Sequence, residues 1–208
     1  GTQTFSSANT YTGGTTLNAG GITIGHGRAL GTGTLTFASN NTVLGASAAV
    51  TMTNATVLNA NGVFDPGSFN LTHAGVISGP ASLIKRGSGV LTLLGTNTYG
   101  GGTVMTNGTI ALGNSEALGA AGVSFNGNSS LLALTDLALS NNLSIASGVT
   151  GTFDSGAFTN TLSGTISGAG NFAKQGSGKL TLTANHTYSG ATTIAAGTLQ
   201  IGDGGATG

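Results

Sequence analysis

The chain has no cysteine. That excludes a disulfide framework, thiolate metal sites and thiol nucleophiles. It also has very little charge: five Lys and Arg, five Asp and Glu, and a formal net charge of zero. An ordinary soluble domain carries roughly 25% charged residues, against 5% here. Too few cations remain to line a phosphate backbone or to form a polybasic membrane face, so a nucleic-acid partner is not expected. No run approaches the ~18 apolar residues of a membrane-crossing helix, so the segment is not expected to span a bilayer. Aromatic residues are only 5% of the chain.

What is abundant is glycine, 39 of 208 residues, with Thr, Ser and Asn. This is not the composition of a disordered tract, because hydrophobic residues reach 38% and fall in short separated runs. The three tyrosines, Tyr11, Tyr99 and Tyr188, all sit in one hexamer. It reads Asn9-Thr10-Tyr11-Thr12-Gly13-Gly14, then Asn97-Thr98-Tyr99-Gly100-Gly101-Gly102, then His186-Thr187-Tyr188-Ser189-Gly190-Ala191. Their spacings, 88 and 89 residues, define an internal repeat. At offset 89, Lys85-Arg86-Gly87-Ser88-Gly89 matches Lys174-Gln175-Gly176-Ser177-Gly178, and Phe64-Asp65 matches Phe153-Asp154. At offset 88, Ala29-Leu30-Gly31 matches Ala117-Leu118-Gly119. The chain is expected to be one continuous solenoid, residues 1–208, of about two and a third units: 1–88, 89–177 and the start of a third at 178–208.

A finer period lies inside the unit. The apolar series Ile24, Leu44, Phe64, Leu83, Leu112, Leu132, Phe153, Phe172, Ile201 advances by 20, 20, 19, 29, 20, 21, 19 and 29 residues. This predicts three coils of about twenty residues and one longer coil holding the tyrosine hexamer, four coils per unit. Runs such as Ile22-Thr23-Ile24, Leu91-Thr92-Leu93 and Leu180-Thr181-Leu182 alternate with period two, the mark of half-buried strands. Gly, Asn, Ser and Asp separate them as turn residues. Short strands, tight turns and no crossover helices predict an all-β parallel β-helix, with Leu, Ile, Val and Phe stacked inward and Thr, Ser and Asn outward. Nine or ten coils at ~4.8 Å each give a rod ~45–50 Å long.

Ile77 to Gly113, ISGPASLIKRGSGVLTLLGTNTYGGGTVMTNGTIALG, and Ile166 to Gly202, ISGAGNFAKQGSGKLTLTANHTYSGATTIAAGTLQIG, resemble the autotransporter-associated β-strand repeat of large bacterial surface proteins. The resemblance covers essentially the whole chain. It departs at Pro80 and Ser82, and at His186 and Ala191 in the third hexamer. It implies a right-handed parallel β-helix in a secreted or surface-displayed bacterial protein; it does not imply a catalytic site, because this repeat usually forms the stalk.

Candidate sites are few. The hexamers, with Asn9, Asn97 and His186 at their first positions and the three tyrosines at their third, read as structural corners. The alternative is a repeated aromatic contact surface for glycan or host. Asp65 and Asp154 are repeat equivalents four coils apart, about 19 Å along the rod, beyond the roughly 5–9.5 Å of a glycosidase pair. Gly176-Ser177-Gly178-Lys179-Leu180 is not a phosphate loop, because Ala173 stands at the leading glycine position and Leu180 at the Ser/Thr position. Gly202-Asp203-Gly204-Gly205 has one carboxylate, too few for calcium. His26, His73 and His186 lack metal-ligand spacing. Lys85 and Lys174 read as solvated charges that deter edge pairing. Thr-x-Thr triplets at Thr34, Thr51 and Thr181 do not share a register, against ice binding. No enzyme, metal or cofactor is expected. The expected function is a structural rod outside the cell, contacting neighbouring solenoid segments or stacking end to end into filaments; the alternative is an adhesin module.

Overall fold

The computed structural model describes residues 1–202; Asp203, of the weighed calcium motif, lies outside them. Twenty-five strands of two to five residues make up the described chain, with no helix among the described residues. Every strand pair is parallel, and partners lie about twenty residues apart. The chain is a β-solenoid. Three sheet faces enclose one apolar core.

The first face has nine strands, from Thr2–Phe5 to Ile166–Gly168. The second has eight, from Val50–Met52 to Thr192–Ile194. The third is split into two sheets of four, Thr15–Leu17 to Ile77–Ser78 and Leu137–Leu139 to Thr198–Ile201. The chain visits them in the order first, second, third. Period-two alternation sets what each strand buries. In Leu83–Lys85 the outer residues point in and Ile84 points out.

Following one inward row on the first face gives Ile22, Leu44, Phe64, Lys85, Met105, Phe125, Ile145. All its steps are 20 to 22 residues, so no coil is long. The steps of 29 in the sequence series are changes of face. Leu83 pairs with Thr103 on the first face, whereas Leu112 pairs with Leu93 and Ala133 on the second. Phe172 and Ile201 likewise lie on the second and third faces.

The four coils per unit are therefore four and a third. Four steps from Lys85 lead through Met105, Phe125 and Ile145 to Gly168, still on the first face. Its equivalent Lys174 lies one face further on. Each unit is turned by a third of a revolution relative to the last.

The core holds two surprises. One is an outward row on the first face, Val43, Val63, Ile84 and Val104, which is aliphatic rather than hydroxylated. Val63 is fully buried although it stands outside the core cluster. The other is polar residues at inward positions. His73 sits between Met52 and Leu93 on the second face, edge-on to Phe64 with ring centroids 6.1 Å apart. Phe64 in turn stacks on Phe37 at 5.4 Å. The His73 ring bonds through Nε2 to Thr56 Oγ1 at 2.8 Å and through Nδ1 to the Gly75 carbonyl at 3.1 Å.

Burial lowers the His73 pKa from 6.5 to about 4, against smaller raising effects of backbone hydrogen bonds. Between these values the unfolded chain binds the proton and the folded chain does not. Stability is thus complete above pH 6.5 and falls as pH drops toward 4. The expected loss is about 3 kcal/mol at the acid end. Denaturant titrations across that range should show this slope in the parent and a smaller one, left by His186, in His73→Leu, the residue its equivalent position Leu162 carries.

Candidate functional site

The tyrosine hexamers occupy corners where the solenoid drops a strand. At Tyr99 the gap is on the third face, between its two sheets. There Thr98 N donates to the Ile77 carbonyl at 2.8 Å, and Ala120 N donates to the Tyr99 carbonyl at 3.2 Å. Coil-to-coil stacking continues without regular strand geometry. Asn97 ties the two flanking coils together. Its Oδ1 accepts Ile77 N at 2.7 Å and its Nδ2 donates to the Ala117 carbonyl at 2.7 Å.

The Tyr99 ring is fully buried. Its hydroxyl shares a 2.6 Å hydrogen bond with Thr103 Oγ1, four residues on, at the start of the next strand. Burial pushes the hydroxyl pKa well above its ordinary range. The ring is seated by Gly119, whose φ is 68° and whose absent Cβ would stand 3.1 Å from the ring carbons. A side chain there would be both strained and obstructed. The repeated Ala-Leu-Gly triplet is thus the other half of the corner, twenty residues downstream. The sequence showed both repeats, but nothing in it joined them until the coil length was known.

Tyr11 and Tyr188 repeat the geometry. Their hydroxyls meet Thr15 Oγ1 at 2.9 Å and Thr192 Oγ1 at 2.5 Å. Asn9 Nδ2 donates to the Ala29 carbonyl at 2.7 Å, as Asn97 does to Ala117. His186 reproduces half of the asparagine pattern. Its Nδ1 accepts Ile166 N at 3.0 Å, which places its proton on Nε2, and burial lowers its pKa. Tyr11 is 38% exposed, in the first described coil, with coil neighbours on one side. Tyr188 is half-buried, 6.0 Å from the Phe172 ring.

The three rings do not form a row. Tyr11 precedes a third-face strand, Tyr99 a first-face strand and Tyr188 a second-face strand. A shallow recess of about 280 Å³ lies outside the Tyr99 corner, lined by Asn97, Thr98, Glu116, Ala138 and Asn141. It presents one carboxylate, hydroxyl and amide groups, and no ring.

The paired lysines are not solvated. Lys85 and Lys174 occupy inward positions and are fully covered. Lys85 Nζ donates to the carbonyls of Arg86 at 2.6 Å, Gly87 at 2.8 Å and, one coil on, Asn107 at 3.4 Å. Lys174 Nζ does the same with Gln175 at 2.6 Å, Gly176 at 2.9 Å and Ala196 at 3.2 Å. Three carbonyls replace the water shell of each ammonium. Desolvation lowers the Lys85 pKa to about 8, partly offset by Asp65, and lowers Lys174 likewise, partly offset by Asp154. The alternation Leu83-Ile84-Lys85 already assigns Lys85 inward; its charge argued the other way, and the turn carbonyls decide it.

Asp65 and Asp154 serve the same turns. Each accepts an amide two residues on, from Gly67 at 3.0 Å and Gly156 at 2.9 Å. They lie on different faces and form no pair. Among the described residues no group of three His, Cys, Asp or Glu converges on a point, and no helix is long and apolar enough to cross a membrane.

Comparison with known proteins meets this geometry directly. The model of the passenger-associated-transport-repeat matches residues 1–24, 83–112 and 172–201. These three segments are similar to that repeat. Each holds a tyrosine hexamer, and the second and third begin at the strands that carry Lys85 and Lys174. The chain is also 38% identical over 127 residues to the adhesin BmaC autotransporter of Brucella suis biovar 1 (strain 1330), a match covering 60% of this chain and 4% of that protein. The chain thus spans a small part of the relative's length. No solved structure matches. Repeat and relative together identify a β-helical module of a bacterial protein at the cell surface or outside the cell.

Proposed function

We propose that this passenger-repeat segment is a non-catalytic stalk, a rod that spaces other parts of a surface protein. Its corners hold the coil rather than grip a ligand. The observation that carries this reading is the Tyr99 corner. With a coil on each side, the ring is covered, its hydroxyl is bonded within the chain, and Asn97 spends both ends of its amide on neighbouring coils. A binding platform leaves such groups free. Neighbouring solenoid segments are the partners this reading names.

The second reading, an adhesin module, draws on the name of the Brucella relative. Glycan-array and host-cell binding assays on the purified chain separate the two. The stalk reading expects no retained glycan and no loss of cell binding with Tyr11→Ala or Tyr188→Ala. A glycan bound by the parent and released by either variant, with circular dichroism unchanged, would overturn it.

A further inference from the structure

The chain contains three Asn-Gly dipeptides, at Asn61, Asn107 and Asn126. Only the middle one falls in the passenger-repeat core. It occupies a position that is Ala19 in the first unit and Ala196 in the third. Three observations converge on it. Asn107 is exposed. The Gly108 N–H donates to the Oδ1 of its own neighbour Asn107 at 2.8 Å, folding that side chain over the peptide group in a tight corner where Gly108 has φ 74°. The Asn107 carbonyl, which belongs to the same peptide group as that nitrogen, accepts a hydrogen bond from the buried Lys85 ammonium at 3.4 Å.

We infer that Asn107–Gly108 is a self-modifying site, a corner that deamidates through a succinimide with Lys85 assisting. The Gly108 amide gives up its proton to solvent, and its electron pair attacks Asn107 Cγ. The bond from Cγ to the side-chain nitrogen breaks, and that nitrogen leaves as ammonia with a proton taken back from solvent. Water then opens the five-membered imide at either carbonyl, leaving aspartate or isoaspartate. One water is consumed and one ammonia released. Two features of the corner favour the first step. The side-chain amide is already folded back over the Gly108 N–H, which donates to its Oδ1, so little rotational freedom remains to be lost in bringing Cγ to that nitrogen once the proton has left. The cation on the carbonyl oxygen stabilises the negative charge that spreads over the peptide group when the nitrogen loses its proton.

The other two dipeptides are built-in controls. At Asn61 both groups are engaged by the next coil. Gly62 N donates to the Ser82 carbonyl at 3.0 Å, and Asn61 Oδ1 accepts Ser82 N at 3.0 Å. Asn126 is exposed, with no lysine against its carbonyl among the described residues. The product at Asn107 adds a carboxylate beside the Lys85 ammonium in a rod with almost no charge. By the isoaspartate route it also adds one carbon to the main chain at a corner.

The test is peptide mapping by mass spectrometry on the folded chain aged at neutral pH, with isoaspartate detected by enzymatic methylation. Asn107 is expected to convert severalfold faster than Asn126, with Asn61 slowest, and the order should collapse when the aging is done in urea. Ala196→Asn, which builds the same dipeptide over Lys174, is expected to create a second fast site, and Lys85→Met to slow Asn107. Asn107 converting no faster than Asn126 in the folded chain would overturn the proposal. So would an Ala196→Asn variant whose new site stays as slow as Asn61.

Discussion

Lys85→Ala is expected to lower the unfolding free energy by about 3–5 kcal/mol, a size set by a buried polar network broken on one side. The substitution empties a covered inward position between Phe64 and Met105. It also leaves the carbonyls of Arg86 and Gly87 facing the space where the ammonium stood. A cavity and stranded acceptors add. Lys85→Met restores most of the volume but no donor, and should recover only part of the loss. Lys174→Ala should cost less, since only one described coil follows it on its face. Urea titrations followed by circular dichroism read all three. The parent should also gain stability as pH rises from about 8 toward 10.5, because in that window the unfolded lysine still holds the proton that the folded one has released. That gain should shrink in Lys85→Met, the remainder coming from Lys174, whose pKa burial also lowers.

Tyr99→Ala is the second large effect, also about 3–5 kcal/mol, as for other fully buried aromatics. The ring fills the corner left by the missing third-face strand, and the Gly119 seat cannot close over a smaller side chain without moving backbone. Tyr99→Phe keeps the ring and loses only the bond to Thr103, at about 1 kcal/mol. Tyr11→Ala, at a position 38% exposed, should fall well below Tyr99→Ala. If the two alanine variants matched, the corner would not owe its stability to a ring enclosed between coils.

The coil and the corner were legible to different depths. Alternation in runs such as Leu91-Thr92-Leu93, and the recurrence of Lys-x-Gly-Ser-Gly, were enough to indicate parallel strands, stacked coils and the passenger repeat. Spacing alone could not tell a long coil from a change of face, since Leu83 and Leu112 are equally apolar wherever they point. Lys85 reads as solvated by residue type and as inward by its position in the strand, and position governs. The three acceptors that hold its ammonium are main-chain atoms, which no sequence displays. The link between Tyr99 and Gly119 needed the register, because the ring and its seat are neighbours only across a coil.

The third of a revolution gained per unit has a mechanical consequence. The tyrosine corners are where regular strand pairing is interrupted. Were they aligned, they would make one side of the rod softer than the others, and it would bend that way. Here the interruptions fall on the second face at Tyr11, the third at Tyr99 and the first at Tyr188. A longer run of the unit would return a corner to the same side only after thirteen turns, ~62 Å at the inter-strand spacing. Compliance is then shared among all three sides, and such a rod has no preferred direction of bending. For the spacer proposed above, loaded from any side, equal stiffness in every direction follows from a repeat length that is not a whole number of turns.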